Sequence, residues 1–210
     1  MVSPANGSAR ETPDALIRAA RGLFARHGYD GTSVRAITAE AGANLGAITY
    51  HFGSKRALHD RVIESYVGPL ADRIVAITRS SGDVWTRVED VVRAYFDFFA
   101  EHPDALRLMM QELVVGGAPP EVALRRLRVV HHALTALVHE GQVDRSIRAG
   151  NPAIMSVSII SQPVHLMLMQ RPLQALTGMD LNDAAVRAQF VANAIAFVRG
   201  GLARGQEDRT

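Results

Sequence analysis

Few residues in this chain offer reactive chemistry. There is no cysteine, which removes disulfides, thiolate zinc sites and sulfur nucleophiles together. Of the eight histidines, His132 and His139 fall with Glu140 on one side of a helical stretch and could offer a metal two or three ligands. Histidines on long helices are common without a metal, so no metal or cofactor is predicted. The sequence holds no glycine-rich phosphate loop, no nucleophile elbow and no His-Glu-x-x-His, and no catalysis is predicted either.

The densest polar chemistry lies between Thr32 and Lys55, TSVRAITAEAGANLGAITYHFGSK. Asn44 and Thr49 can hydrogen-bond base edges, Leu45 and Ala47 can touch a thymine methyl, and Gly46 permits close approach to a major groove. Tyr50 and His51 suit phosphates. Lys55 opens a helix, so its charge and the free amides of the first turn can address the same DNA strand.

The elements that must position these groups are written around them. Thr12-Pro13 starts a helix with Leu16, Ala19, Ala20, Leu23 and Phe24 at helical spacing, and Gly28 ends it. After Tyr29-Asp30-Gly31, Thr32 or Ser33 caps a second helix to Ala41, with Val34 and Ile37 inward. Gly42 stops it, and a third helix from Leu45 to Phe52 buries Ile48 and Phe52. Ser54 caps the next. Two short helices joined by a glycine turn are the pattern of a helix-turn-helix.

Bulk composition is less specific. The 210 residues are 48% apolar and 21% charged, enough for one sizeable core or two modest ones. Net charge is only +2, and the first sixty residues hold seven bases against five acids, which is not a polybasic arm. Lys55 is the only lysine. The start of the chain has no apolar run of signal-peptide type, and a cytoplasmic protein is expected. Residues 149 to 170 lack charge but are interrupted by Asn151, Pro152, serines, Gln162, Pro163 and His165, so a buried helix is predicted there and not a membrane span.

The rest of the chain reads as helix throughout, without strand alternation or internal repeat. Helices are predicted from Ser54 to about Arg79, through Val84–Phe99, from Pro103, from Pro120 to about Glu140, over 151–170 and from Asp183 to about Ala203. Gly116 to Pro120 and residues 171 to 182 read as loops. The expected architecture is all-α with about nine helices: a tail over 1–11, a three-helix DNA-binding domain over 12–58, a helical body over 59–204 and a tail over 205–210. Phe96, Phe99, Met109, Met110, His131, His132, Gln162, His165, Met167 and Met169 are candidates to line a partly apolar ligand cavity in that body. The last helix carries alanines every fourth residue. Ala188, Ala192, Ile195 and Ala196, with Ile159, Pro163 and Leu166 of the uncharged helix, are the predicted dimer face, two helices from each subunit.

Residues 13 to 60, and most specifically ITAEAGANLGAITYHFGSKRAL, resemble the N-terminal DNA-binding domain of the TetR family of transcriptional regulators. The resemblance implies a homodimer on a palindromic operator, with a helical C-terminal domain for a small-molecule effector. It implies Thr32 and Lys55 as phosphate contacts, with Ser33 and Arg35 beside Thr32, and Asn44 to His51 as the recognition helix. Three departures stand out. Thr38 replaces a usual alanine, Thr49 replaces the first of two frequent tyrosines, and the recognition helix has no Arg or Lys for a bidentate guanine contact. HPDALRLMMQEL and SIISQPVHLMLMQRPL further resemble a TetR subgroup with a CecR-like C-terminal domain, in which Gln162 matches a usual glutamine. A ligand-responsive repressor is expected; a helical ligand-binding or scaffold protein is the alternative.

Overall fold

A computed structural model describes residues 12–112 and 119–204, which form ten α-helices and no strand. They are α1 Thr12–His27, α2 Val34–Glu40, α3 Ala47–Phe52, α4 Lys55–Thr78, α5 Val84–Glu101, α6 Pro103–Met110, α7 Glu121–Val143, α8 Pro152–Leu168, α9 Gln170–Thr177 and α10 Ala184–Leu202. The predicted tails, Leu113 and residues 116–118 of the predicted loop lie outside the described residues. The chain divides into two compact units, one reaching to Val67 and including Arg107–Ala123, the other comprising Gly68–Leu106 and the chain from Leu124.

In the first unit α1, α2 and α3 pack on one another. Leu16, Phe24, Ile37, Ile48 and Leu58 are buried almost completely, and each contributes roughly 1.5–3 kcal/mol through removal from water. Ser33 caps α2 by accepting from the Ala36 amide at 3.0 Å, and Ser54 caps α4 by accepting from the Ala57 amide at 3.1 Å. The turn between α2 and α3 needs Gly42, whose φ of +64° is costly for a residue with a Cβ. Thr38 is buried, and its hydroxyl donates to the Val34 and Arg35 carbonyls, so the departure from alanine leaves no polar orphan.

In the second unit α5 is the central element, packed by α8 and α10, which also pack on each other. Each of the three is locally capped, by Asp83, Asn151 and Asp183 respectively. Buried Arg87 of α5 donates to the Thr78 carbonyl at 3.0 Å and forms a two-pronged pair with the Glu140 carboxylate of α7.

The helix count differs from the expected nine because residues 171–177, expected as the start of a loop, are helical and belong to α9. Pro172 falls in the first turn of α9, where a missing N–H costs nothing, and Gly178 is its left-handed C-cap at φ +73°. Both breakers therefore bound a helix. Similarly α3 starts at Ala47, because the Ala47 amide donates to the Asn44 carbonyl in a turn. Among the described residues no single helix is long and apolar enough to cross a membrane; the apolar pair α8 and α9 is bent by 63° at its junction.

Candidate nucleic-acid interface

Recognition by the first unit depends on what α3 leaves outside once Ile48 is buried. Asn44, Leu45, Gly46, Thr49 and Tyr50 are all exposed, Tyr50 at 85%, while Ala47 and His51 are half-buried. The Tyr50 and His51 rings meet edge to face, 4.8 Å apart. The exposed surface combines hydroxyl, amide and small apolar groups without a formal charge, a set suited to base edges and thymine methyls.

Positive charge stands on the flanks. Ser33 and Arg35 are exposed at the start of α2. Lys55 opens α4, with its ammonium 4.1 Å from the centre of the Tyr29 ring; the Arg56 guanidinium is 5.7 Å from the same ring and pairs with Asp60 at 3.7 Å. Thr32, in contrast, is 2% exposed. Its hydroxyl donates inward, to the Gly28 carbonyl at 2.7 Å and the Leu23 carbonyl at 3.2 Å, clamping the turn before α2.

Beneath this corner lies His59, completely buried and edge-on to Phe24 and Tyr29 at 4.7 and 4.9 Å. Burial, with help from the Arg56 and Lys55 charges, lowers its pKa to about 4 and keeps it neutral. Glu112 Oε1 lies 3.0 Å from His59 Nε2, but off the line a hydrogen bond needs, and neither ring nitrogen is hydrogen-bonded. Burial raises the Glu112 pKa, and because His59 is neutral the two groups face each other without forming an ion pair. Sequence reasoning missed Tyr29, His59 and Glu112. The Lys55 to His59 spacing of one helical turn was the available signal for the histidine, and nothing local pointed to Glu112.

The same division into a helix-turn-helix and a helical body appears in comparisons with known proteins. Residues 16–62 match the family described as bacterial regulatory proteins, tetR family, and residues 86–198 match the one described as Tetracyclin repressor-like, C-terminal domain. The chain belongs to the TetR family. A TetR relative, the HTH-type transcriptional repressor SCO4008 of Streptomyces coelicolor, is 31% identical over 143 residues, 68% of this chain and 70% of its own. The ketosteroid transcriptional regulator KstR2 of Mycobacterium tuberculosis superposes with a TM-score of 0.73 at 19% identity, over 94% of this chain and 97% of that one. FadR from Bacillus subtilis, solved in complex with stearoyl-CoA, gives 0.71 at 16% identity, over 90% and 98%. These two structures establish likeness of fold. As a TetR member the protein is a transcriptional regulator and not an enzyme.

The residues predicted for the TetR body are dispersed. Phe96, Phe99 and Met167 are buried; Met109, Met110, Gln162 and Met169 are half-buried; His132 and His165 are exposed. His131 is half-buried, and its Nδ1 lies 3.3 Å from the buried Ser156 hydroxyl, which is itself 3.3 Å from Thr135. Among the described residues no three His, Asp or Glu are grouped to hold a metal, and Glu140 is committed to Arg87. Of the predicted dimer face, Ile159 and Pro163 are buried within the chain itself, Leu166 and Ile195 are half-buried, and Ala188, Ala192 and Ala196 are exposed. Ile154, Val157 and Phe197 are exposed on the same two helices.

Proposed function

We propose that the protein is a cytoplasmic homodimeric repressor that holds a palindromic operator through α3 of each subunit and releases it when a small molecule binds the helical body. The observation that carries this reading is the exposed, uncharged face of α3 between charged flanks at Arg35 and Lys55. Base readout falls to Asn44, Leu45, Gly46, Ala47, Thr49 and Tyr50; Ser33, Arg35, His51 and Lys55 take phosphates, with Thr32 holding the turn that presents them. Two such heads on a dimer address successive major grooves about 34 Å apart.

The exposed apolar groups of α8 and α10 beside Ala188, Ala192 and Ala196 support a self-complementary interface, because apolar patches on a regulator's surface are sites of association. An effector with substantial apolar surface agrees with the KstR2 and FadR likenesses and with the phenylalanines and methionines of α5 and α8. Effector and operator are then linked: a ligand that weakens DNA binding must bind the DNA complex less tightly than the free dimer.

Selection of bound sequences from random DNA tests the reading, with Tyr50→Ala and Lys55→Ala variants as controls and stearoyl-CoA as a first effector probe. A palindrome should be enriched by the parent and not by the variants, with their helical content intact. Equal enrichment by parent and variants, or a non-palindromic site, would overturn it. An effector with equal affinity for free and DNA-bound protein would overturn the release step.

A further inference from the structure

The helix that leaves the DNA-binding head contains a break written into its own sequence. α4 runs from Lys55 to Thr78 with Pro69 inside it, preceded by Gly68. Proline has no amide hydrogen and its ring crowds the carbonyl four residues before, so the Ser65 carbonyl loses its ordinary helical donor. Glycine beside it adds backbone freedom. The division of the chain into two compact units falls at the same place, between Val67 and Gly68.

Arg21 of α1 supplies what Pro69 removes. Its Nη2 donates to the Ser65 carbonyl at 3.4 Å and its Nε to the Ser65 hydroxyl at 3.1 Å, while the guanidinium lies 4.6 Å from the centre of the Tyr66 ring. The Ser65 hydroxyl is set to receive it by donating in turn to the Val62 carbonyl at 2.6 Å. Arg21 is half-buried and Tyr66 is buried, so these contacts are partly shielded from water. One side chain thus engages a carbonyl, a hydroxyl and a ring on two successive residues just before the break. That combination needs the planar fork of arginine, and the single ammonium of lysine cannot reproduce it.

We propose that Arg21 is a positioning residue for operator reading: by latching α4 to α1 at Ser65 and Tyr66, it keeps the freedom of Gly68–Pro69 out of the head, so that the chain up to Val67 turns with α3 as one body. The proposal rests on the dimeric operator reading given above. Two heads that each move as a rigid body fit a palindrome at one half-site separation. Heads whose α4 loosens before the break accept several separations and give up more conformational freedom on binding any of them, which lowers affinity at the best one.

Two measurements on the full chain test this. Hydrogen exchange over residues 66–72, which needs no DNA, should quicken in Arg21→Ala and Arg21→Lys but not when Arg21→Ala is combined with Pro69→Ala, because the restored amide then bonds the Ser65 carbonyl itself. Affinity for the selected palindrome, with its half-sites set closer or further apart, gives the second readout. Arg21→Ala should weaken binding at the best separation about tenfold and flatten the preference among separations, with helical circular dichroism intact, and Pro69→Ala should restore both. Unchanged exchange in Arg21→Ala would mean that no latch exists, and an equal loss at every separation would make Arg21 a residue of stability alone; either result overturns the proposal. A parent with no preferred separation would instead overturn the dimeric reading, and the positioning role with it, whatever the exchange shows.

Discussion

The ammonium of Lys55 is held 4.1 Å from the ring centre of Tyr29, so the first residue of α4 is steadied by the turn that precedes α2. A lysine placed this way spends less conformational entropy when it meets a phosphate. We predict that Tyr29→Leu weakens operator binding two- to fivefold, the equivalent of about 0.5–1 kcal/mol, without changing its salt dependence. Lys55→Ala should in contrast lower the slope of log affinity against log salt by about one. Fluorescence anisotropy over a salt series separates the two, and parent-like affinity in Tyr29→Leu would remove tyrosine from this role.

The neutral His59 gives stability a pH dependence with a definite sign. Its folded pKa of about 4 lies below the unfolded value of 6.5, so the unfolded chain takes up a proton first as pH falls. Its contribution is complete above pH 6.5 and is lost progressively down to pH 4. Glu112 acts oppositely, since its raised pKa favours the folded state on acidification. In Glu112→Gln the histidine acts alone, and urea denaturation should show about 2 kcal/mol less stability at pH 5 than at pH 8. A flat profile between those pH values would mean that His59 is solvated.

On the body, Phe197 is 63% exposed and Ile154 69% exposed on the helices assigned to association. Placing a carboxylate there should oppose burial far more than it disturbs the chain's own packing. Phe197→Glu is expected to sediment as a monomer with unchanged helical circular dichroism and to lose operator affinity, because one head alone contacts half a palindrome. A dimeric Phe197→Glu would place the interface elsewhere.

Arg145 offers a test of backbone strain at the turn that follows α7. Arg145→Gly removes the penalty of a left-handed backbone at φ +66° and should stabilise the folded chain by about 1 kcal/mol, read from the urea midpoint. Stability that does not rise would mean that the turn itself, and not its residue, sets the strain.

What the sequence determined alone was everything written within a few residues. A cap at Thr32 or Ser33, the Ser54 cap, the Gly42 turn, the buried Ile37 and Ile48 and the exposed Thr49 and Tyr50 all follow from bonds and periodicities spanning three or four positions; the structure gives the first cap to Ser33. Such preferences act before any tertiary contact forms, and they made the helix-turn-helix and the all-α body legible. Pro172 shows the limit, since a proline breaks or starts a helix according to where the turn before it ends. Only the tertiary structure decided that Thr32 faces inward, that Ile159 and Pro163 are spent in the chain's own core, and that His59 faces Glu112. It alone brought Arg148 to Gly201, 53 positions away. These relationships depend on which helix faces pack together, and periodicity identifies an apolar face without naming its partner.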